Sequence, residues 1–270
     1  MTRLIRSVVV LLLLAAPAFV VADVQGLKQG PAAAVEEIVD GDTLILKGPV
    51  LGARQVRLVG IQAPKLPLGR SYFPTWPLAE ESKKALAALA LGRTLTLSFG
   101  GAEMDRHGRL LAHLHVVDGH RPDGLWLQGE MLRLGMARVY SFPDNRALAA
   151  EMLKIEQDAR AARRGIWGHP FYAVRAPEET AKAIGTFQVV EGTVKKAAKA
   201  KGRIYLNFGD DWRRDFTVAI DAAAERLFRK AGADPLAFEG RPIRVRGWLK
   251  EQNGPLIVAS HPEQIERVEP

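Results

Sequence analysis

A mainly β chain with flanking helices, built as two small barrels in tandem, is the class that three observations predict. Alternating apolar and polar residues mark short strands in the order three strands, one helix, two strands. The same order returns after a polar stretch at 170–183 that holds Pro170 and Pro177. The chain of 270 residues is long enough for two such units.

Each element has its own signal. Alternation across 35–39, 43–48 and 55–62 predicts three strands, with turns at Asp40-Gly41 and Gly48-Pro49. Residues 78–91 read as a helix: Leu78, Ser82, Leu86 and Leu89 share a face, and Gly92 stops it. Strands follow at 94–99 and 110–117, then helices at 123–134 and 146–163. Gly165-Ile166-Trp167 closes the unit with an apolar plug. Five strands with a helix between the third and fourth is the layout of a five-stranded Greek-key OB barrel. The second half offers strands at 186–195, 202–208, 214–220, 242–249 and 255–260, with a helix at 222–231. This predicts a second OB-like barrel, alike in topology and not in residues. A single irregular α+β domain is the rival arrangement.

The first residues are a different kind of segment. Arg3 and Arg6 precede an apolar run from Val8 to Ala16, and small residues end at Ala22. That pattern predicts a signal peptide over 1–22 and an exported, periplasmic or secreted, protein with no membrane span after cleavage. The expected division is then a loose leader at 23–34, a first domain at 35–169, a linker at 170–183 and an accessory OB-like domain at 184–270.

Composition narrows the chemistry. The net charge is +8 and the pI near 9.8, which suits a polyanionic partner or simple solubility. There is no cysteine, so disulfides, thiolate metal sites and a cysteine nucleophile are excluded.

Four short stretches in fixed order carry a resemblance: "VDGDT" at 39–43, "RLVGIQAPK" at 57–65, "DRHGR" at 105–109 and "GIWGHP" at 165–170. Together they resemble the staphylococcal nuclease (thermonuclease) family over residues 35–169. The resemblance implies an OB barrel that hydrolyses nucleic-acid phosphodiesters with Ca²⁺. It places Asp42 as a calcium-ligand carboxylate, and Arg57 and Arg109 as the guanidinium groups that hold the target phosphate. Planar forked donors suit the charge that builds on phosphorus oxygens during cleavage.

Two positions depart from the pattern. Gln62 stands where the family has its second calcium carboxylate, and Lys65 where it has the glutamate that activates water. An ammonium has no lone pair for a cation and cannot deprotonate water. The sequence therefore argues for an intact phosphate clamp beside a degenerate calcium and base site. The leading expectation is a binder of single-stranded DNA or RNA. An active phosphodiesterase with altered metal ligation, and an envelope interaction protein, are the alternatives.

Other residues extend the expected binding surface. His107 sits in the "DRHGR" turn, and Tyr140 and Phe142 fall near the family's base-contacting tyrosines, though packing against the last helix is the alternative for both and the preferred reading for Phe142. Lys195, Lys196, Lys199, Lys201 and Arg203 cluster at a hairpin of the second unit, followed by Tyr205 and Phe208 on the strand. Basic loops beside strand aromatics suit single-strand binding; a solvated charged hairpin is the plainer reading. The insert at 66–78 carries Tyr72, Phe73 and Trp76, as a stacking lid or as a loop folded onto the barrel. His113 and His115 share a strand face and read as ordinary strand residues rather than metal ligands.

Overall fold

The computed structural model describes residues 27–118 and 121–268. The expected signal peptide and residues 23–26 lie outside the described residues. The first unit opens with β1 (Lys28–Asp40), β2 (Thr43–Val50), β3 (Ala53–Leu58) and the short β4 (Ile61–Gln62). Helix α1 (Ala79–Ala90) follows, then β5 (Thr94–Phe99), β6 (Leu110–Asp118) and β7 (Arg121–Trp126). Helix α2 (Leu127–Arg133), β8 (Arg138–Val139) and helix α3 (Ala149–Ala161) complete it.

Five of these strands close on themselves. β1 pairs antiparallel with β2 and with β5, β2 with β3, and β5 with β6. The parallel pairing of β3 with β6 shuts the ring. This is the expected five-stranded barrel, filled by the inward residues Leu44, Leu46, Val56, Leu58, Leu95, Leu97, Leu110 and Leu114, all fully buried.

Two local expectations are corrected. Residues 28–34 are the first half of β1 and not a loose leader: Ala32–Ala34 lie opposite Thr94–Thr96, and the ladder satisfies their backbone groups. Residues 123–126 are strand and not helix. Gly124 takes a positive φ of 71°, and Leu125 and Trp126 pair with Val116 and His115, so the helix starts only at Leu127.

The second unit runs β9 (Phe187–Thr193), β10 (Lys196–Ala200), β11 (Arg203–Asn207) and β12 (Thr217–Ile220). After α4 (Ala222–Lys230) come β13 (Pro242–Trp248), β14 (Lys250–Glu251), β15 (Pro255–Val258) and β16 (Ile265–Arg267). Asp221 caps α4 by accepting from the Ala224 N–H at 2.8 Å. β9 and β10 follow one another with two residues between them and lie in separate sheets. β10 pairs with β11, β11 with β12, β12 in parallel with β15, and β13 with β9. The helix lies between the same strands as in the first barrel. Its core holds Ile204, Leu206, Phe216, Val218, Ile243, Val245 and Ile257. No helix among the described residues is long and apolar enough to cross a membrane.

A charged joint fastens the two units. Arg246 of β13 is buried and reaches the Glu156 carboxylate of α3 at 2.8 and 2.9 Å. Glu156 also accepts from Arg160 at 2.8 Å and from the Val139 N–H at 2.5 Å. Glu266 of β16 pairs with Arg246 as well. Around this network, Ser141 meets His261 at 2.8 Å, and Arg146 holds Glu263 at 2.7 Å. A small apolar cluster of Ala159, Ile166, Trp167, Tyr172 and Val189 packs beside it, so the expected plug at Gly165-Ile166-Trp167 faces the second unit.

Candidate nucleic-acid interface

The site is built on the tight turn between β1 and β2. Gly41 has no room for a side chain: a Cβ there would stand 1.9 Å from Ser82 Oγ of α1 and 2.7 Å from the Ala63 side chain. Glycine therefore lets the turn press against α1 and the chain after β4. Asp40 and Asp42, on either side of Gly41, are buried together, and Asp40 Oδ1 accepts from the Asp42 N–H at 3.0 Å.

Asp42 is enclosed by donors. Its carboxylate meets Arg57 Nη1 at 2.6 Å, the Ala63 N–H at 2.6 Å and the Thr43 hydroxyl at 3.1 Å. The Lys65 ammonium lies 2.7 Å from Oδ2 and 2.9 Å from Oδ1. Lys65 also reaches Asp40 Oδ2 at 3.4 Å. Burial alone would push the Asp42 carboxyl up, but the adjoining Arg57 and Lys65 charges hold it well below the ordinary carboxylate range. Asp40 moves the other way: burial, and then the Asp42 charge, raise it against the pull of Lys65 and Arg57. A cation among two carboxylates is thus supplied by the chain itself.

Gln62 does not join this group. It pairs with Arg138 across the β4–β8 ladder, and its Oε1 accepts from Arg138 Nε at 3.1 Å and Nη2 at 2.7 Å. Arg138 is buried under an aromatic lid, 4.4 Å from the Phe187 ring centre, 5.7 Å from Tyr172 and 5.8 Å from Trp76. Burial lowers its pKa to about 10. Sequence reasoning missed this residue; its one signal is an arginine alternating with apolar neighbours in "GMARVYSF".

Beside the buried pair opens a cleft of about 900 Å³. Arg57, Lys65, Arg70, Arg106 and Arg109 line it, against the carboxylates of Asp40, Asp105 and Asp144. Arg57 is turned inward: beyond Asp42 it donates to the Ile61 carbonyl at 2.7 Å. Arg109 stands at the rim, where Asp105 holds it by Nε at 2.8 Å and Nη2 at 2.7 Å. Asp105 also accepts from the His107 and Arg109 N–H groups, which shapes the tight turn. Exposed His107, half-buried Tyr140 and exposed Phe142 line the same cleft. The two arginines, Lys65, Asp40, His107 and Tyr140 therefore converge, with Asp42 buried behind them.

The insert at 66–78 is a loop folded back onto the first unit, and it sends Leu68 and Arg70 to the cleft. Trp76 is tied to Lys65 through its N–H at 2.9 Å and packs on Phe171. Arg70 lies 4.2 Å from the centre of the Phe73 ring and faces the cleft, while Tyr72 is fully out in solvent.

The lysine hairpin is elsewhere, on β10 and β11 of the second barrel. Lys195 pairs with Asp210 at 2.9 Å and Lys199 with Glu225 at 2.8 Å, while Lys196, Lys201 and Arg203 are exposed. His113 is buried against Trp126 inside the first unit, and no cluster of metal-ligating side chains forms among the described residues.

Comparison with known proteins agrees with this geometry. The profile described as staphylococcal nuclease homologue matches residues 55–169. Protein ParB of Escherichia coli is 35% identical over 142 residues, which cover 50% of this chain and 72% of that protein. Endonuclease YhcR of Bacillus subtilis (strain 168) is 28% identical over 238 residues, 84% of this chain but 18% of that protein. The probable staphylococcal-like nuclease CAN1 of Oryza sativa subsp. japonica is 30% identical over 113 residues, 42% of this chain and 28% of its own length. The matched stretches include the strand end at Gln62 and Lys65, the Arg109 turn and the Trp167 plug within 55–169. With the closed barrel and the converging cleft already in place, the chain belongs to the staphylococcal nuclease homologue family.

Proposed function

We propose that this protein is an exported, nuclease-like binder of single-stranded nucleic acid in which Lys65 takes the place of the catalytic metal. The observation that carries the reading is the Lys65 ammonium, seated 2.7 and 2.9 Å from the Asp42 carboxylate oxygens and 3.4 Å from Asp40. Calcium requires several oxygen ligands, and carboxylates set its affinity. The residues present do not fit it. Asp42 is already saturated by Arg57, Lys65, Ala63 and Thr43, and Gln62 is spent on Arg138. Nor is the family's water-activating carboxylate there: position 65 holds a lysine, turned onto Asp42.

What remains is recognition. The cleft carries more cations than carboxylates, and forked guanidinium groups suit a phosphodiester. The Arg109 side chain at the rim is fixed by Asp105 in a single orientation, so little freedom is lost on binding. His107, Tyr140 and Phe142 offer ring faces on which bases of any sequence can stack. Similarity to an endonuclease over 84% of the chain supports a nucleic-acid ligand for both units. Export rests on the charged, then apolar, then small-residue pattern of residues 1–22.

The test is a fluorescence titration of a labelled single-stranded oligonucleotide in calcium and in chelator, beside single-turnover cleavage of the same strand. The reading expects equal binding in both buffers and no chelator-sensitive cleavage. Robust calcium-dependent cleavage by the wild type overturns it.

A further inference from the structure

The phosphate cleft is not the only concavity that Tyr140 and Phe142 line. Both also wall a smaller crevice of about 160 Å³ at the joint, with Phe187, Trp248 and Lys250 from the second unit. We infer that the cleft continues across the joint as a base-stacking track, and that Trp248 and Lys250 form a distal subsite for a nucleotide of a bound single strand. This rests on the nucleic-acid reading above and extends it to a surface that the nuclease barrel does not itself possess.

Four rings make the track. Phe142 and Tyr140 are 4.7 Å apart between centres, Tyr140 and Phe187 5.0 Å, and Phe187 and Trp248 6.3 Å. Each pair meets edge to face, one ring's edge on its neighbour's face, so the contacts fix the rings in place and the exposed surface left to a ligand is that of the end rings, Phe142 and Trp248. The inner member, Phe187, is buried as a floor, while Phe142 is 45% and Trp248 41% exposed. A large ring held half in water at each end, above a packed middle, is a surface awaiting a flat partner. It is also rigid: the Trp248 indole N–H donates to the Tyr140 hydroxyl at 3.0 Å, across the joint. The buried Arg246, two residues before Trp248, locks the same strand to Glu156.

Charge selects the ligand. At the Phe142 end the track opens into the cation-rich cleft, and at the far end stands the exposed Lys250. Phosphates could be met at both ends while bases lie on rings between them, which is how sequence-tolerant single-strand grooves are built. A purely apolar partner would leave these cations unanswered.

The experiment uses the full exported chain and two probes, a dinucleotide and a 12-mer single-stranded oligonucleotide. Trp248→Ala should weaken the 12-mer about tenfold, the loss of one stacked base, and leave the dinucleotide within about twofold. Trp248→Phe loses the same hydrogen bond to Tyr140 but keeps a ring, and should retain most of the 12-mer affinity; this separates stacking from a loosened joint. A 12-mer carrying 5-iododeoxyuridine should photo-crosslink to the peptide containing Trp248. If Arg109→Ala weakens both probes while Trp248→Ala changes neither and no crosslink reaches that peptide, the track ends at Phe142 and only this inference falls. If the wild type binds neither probe at low salt, the nucleic-acid reading falls and takes this one with it.

Discussion

The Lys65 ammonium bridges both oxygens of the Asp42 carboxylate, at 2.7 and 2.9 Å, inside a turn where Asp40 is also buried. Together with Arg57, 2.6 Å from the same carboxylate, it balances a pair of carboxylates that would otherwise have to share a proton or recruit an ion. The wild type should therefore show no rise in melting temperature with calcium. Lys65→Glu reverses the situation by gathering three carboxylates. That variant should be destabilised in chelator and recover with calcium, by about 2.7 kcal/mol at a hundredfold excess over its Kd. Thermal unfolding with and without calcium measures both. A calcium response in the wild type would show that Lys65 yields its place to the ion.

Gln62→Asp should behave differently from what its place in the strand suggests. The side chain at this position faces Arg138, not Asp42. An aspartate there gains a buried guanidinium partner, and Arg138, whose pKa burial has lowered to about 10, regains its ordinary charge preference. We expect the single variant to give no calcium-dependent shift in melting temperature, and the Gln62→Asp, Lys65→Glu pair to exceed Lys65→Glu by little. A large gain in the pair would mean that residue 62 turns away from Arg138 once a metal is offered.

The barrel was legible because its causes are local. Alternation marks β2, β3 and β5, and Gly92 ends α1 where expected. The motif residues Arg57 and Arg109 line one cleft, with Asp42 buried behind Arg57, because each sits at a strand end or turn that the barrel closure brings together. What was not legible depends on distant partners. Residues 28–34 look loose until β5 lies beside them, and residues 123–126 look helical until β6 claims their backbone. Gln62 reads as a weak metal ligand until Arg138 is found opposite. The Glu156–Arg246 pair spans 90 positions and has no sequence signal at all.

That pair should govern how the two units hold together. Removing Arg246 leaves Glu156 buried with Arg160 and the Val139 N–H as its remaining donors. Breaking a buried pair on one side typically costs about 3–5 kcal/mol, mostly the stranded charge. Arg246→Met should cost about that much, whereas Glu156→Gln with Arg246→Met, which removes both charges, should recover a good part of it. Urea unfolding of the wild type and the two variants checks this. Equal losses in the single and double variants would show that shape at the joint matters and charge does not.

Acid should loosen the same joint. His261 sits between the Ser141 hydroxyl at 2.8 Å and the Ser260 hydroxyl at 3.0 Å, with one ring nitrogen donating and the other accepting. Burial lowers its pKa to about 4; Glu263 and Asp144 pull it up and Arg146 opposes them. The unfolded chain therefore takes up this proton first as the pH falls. Stability should be level above about pH 6.5 and decline between there and pH 4, by up to about 3 kcal/mol from this group. His113, lowered to about 3, adds to the slope in the same direction. His261→Gln keeps a donor and an acceptor but no titration, and should flatten the curve by about one proton. An unchanged slope in that variant would assign the whole effect to His113 and other groups.

The hairpin of the second barrel should contribute to binding unevenly. Lys195 and Lys199 are already answered by Asp210 and Glu225, so replacing both with Gln frees two carboxylates as well as removing two cations. Lys196, Lys201 and Arg203 are exposed and carry the charge that a strand would meet. Each phosphate neutralised on a single strand contributes about −0.7 to the slope of log affinity against log salt. Replacing Lys196, Lys201 and Arg203 by Gln should therefore flatten the slope by about 2, if all three face phosphates. The Lys195 and Lys199 pair should leave the number of released counterions nearly unchanged, and lower affinity through the unmasked Asp210 and Glu225. Titrating one oligonucleotide at several salt concentrations separates the two sets. A slope that stays constant in the triple variant would mean that the strand never reaches β10 and β11, and that the hairpin is a solvated face.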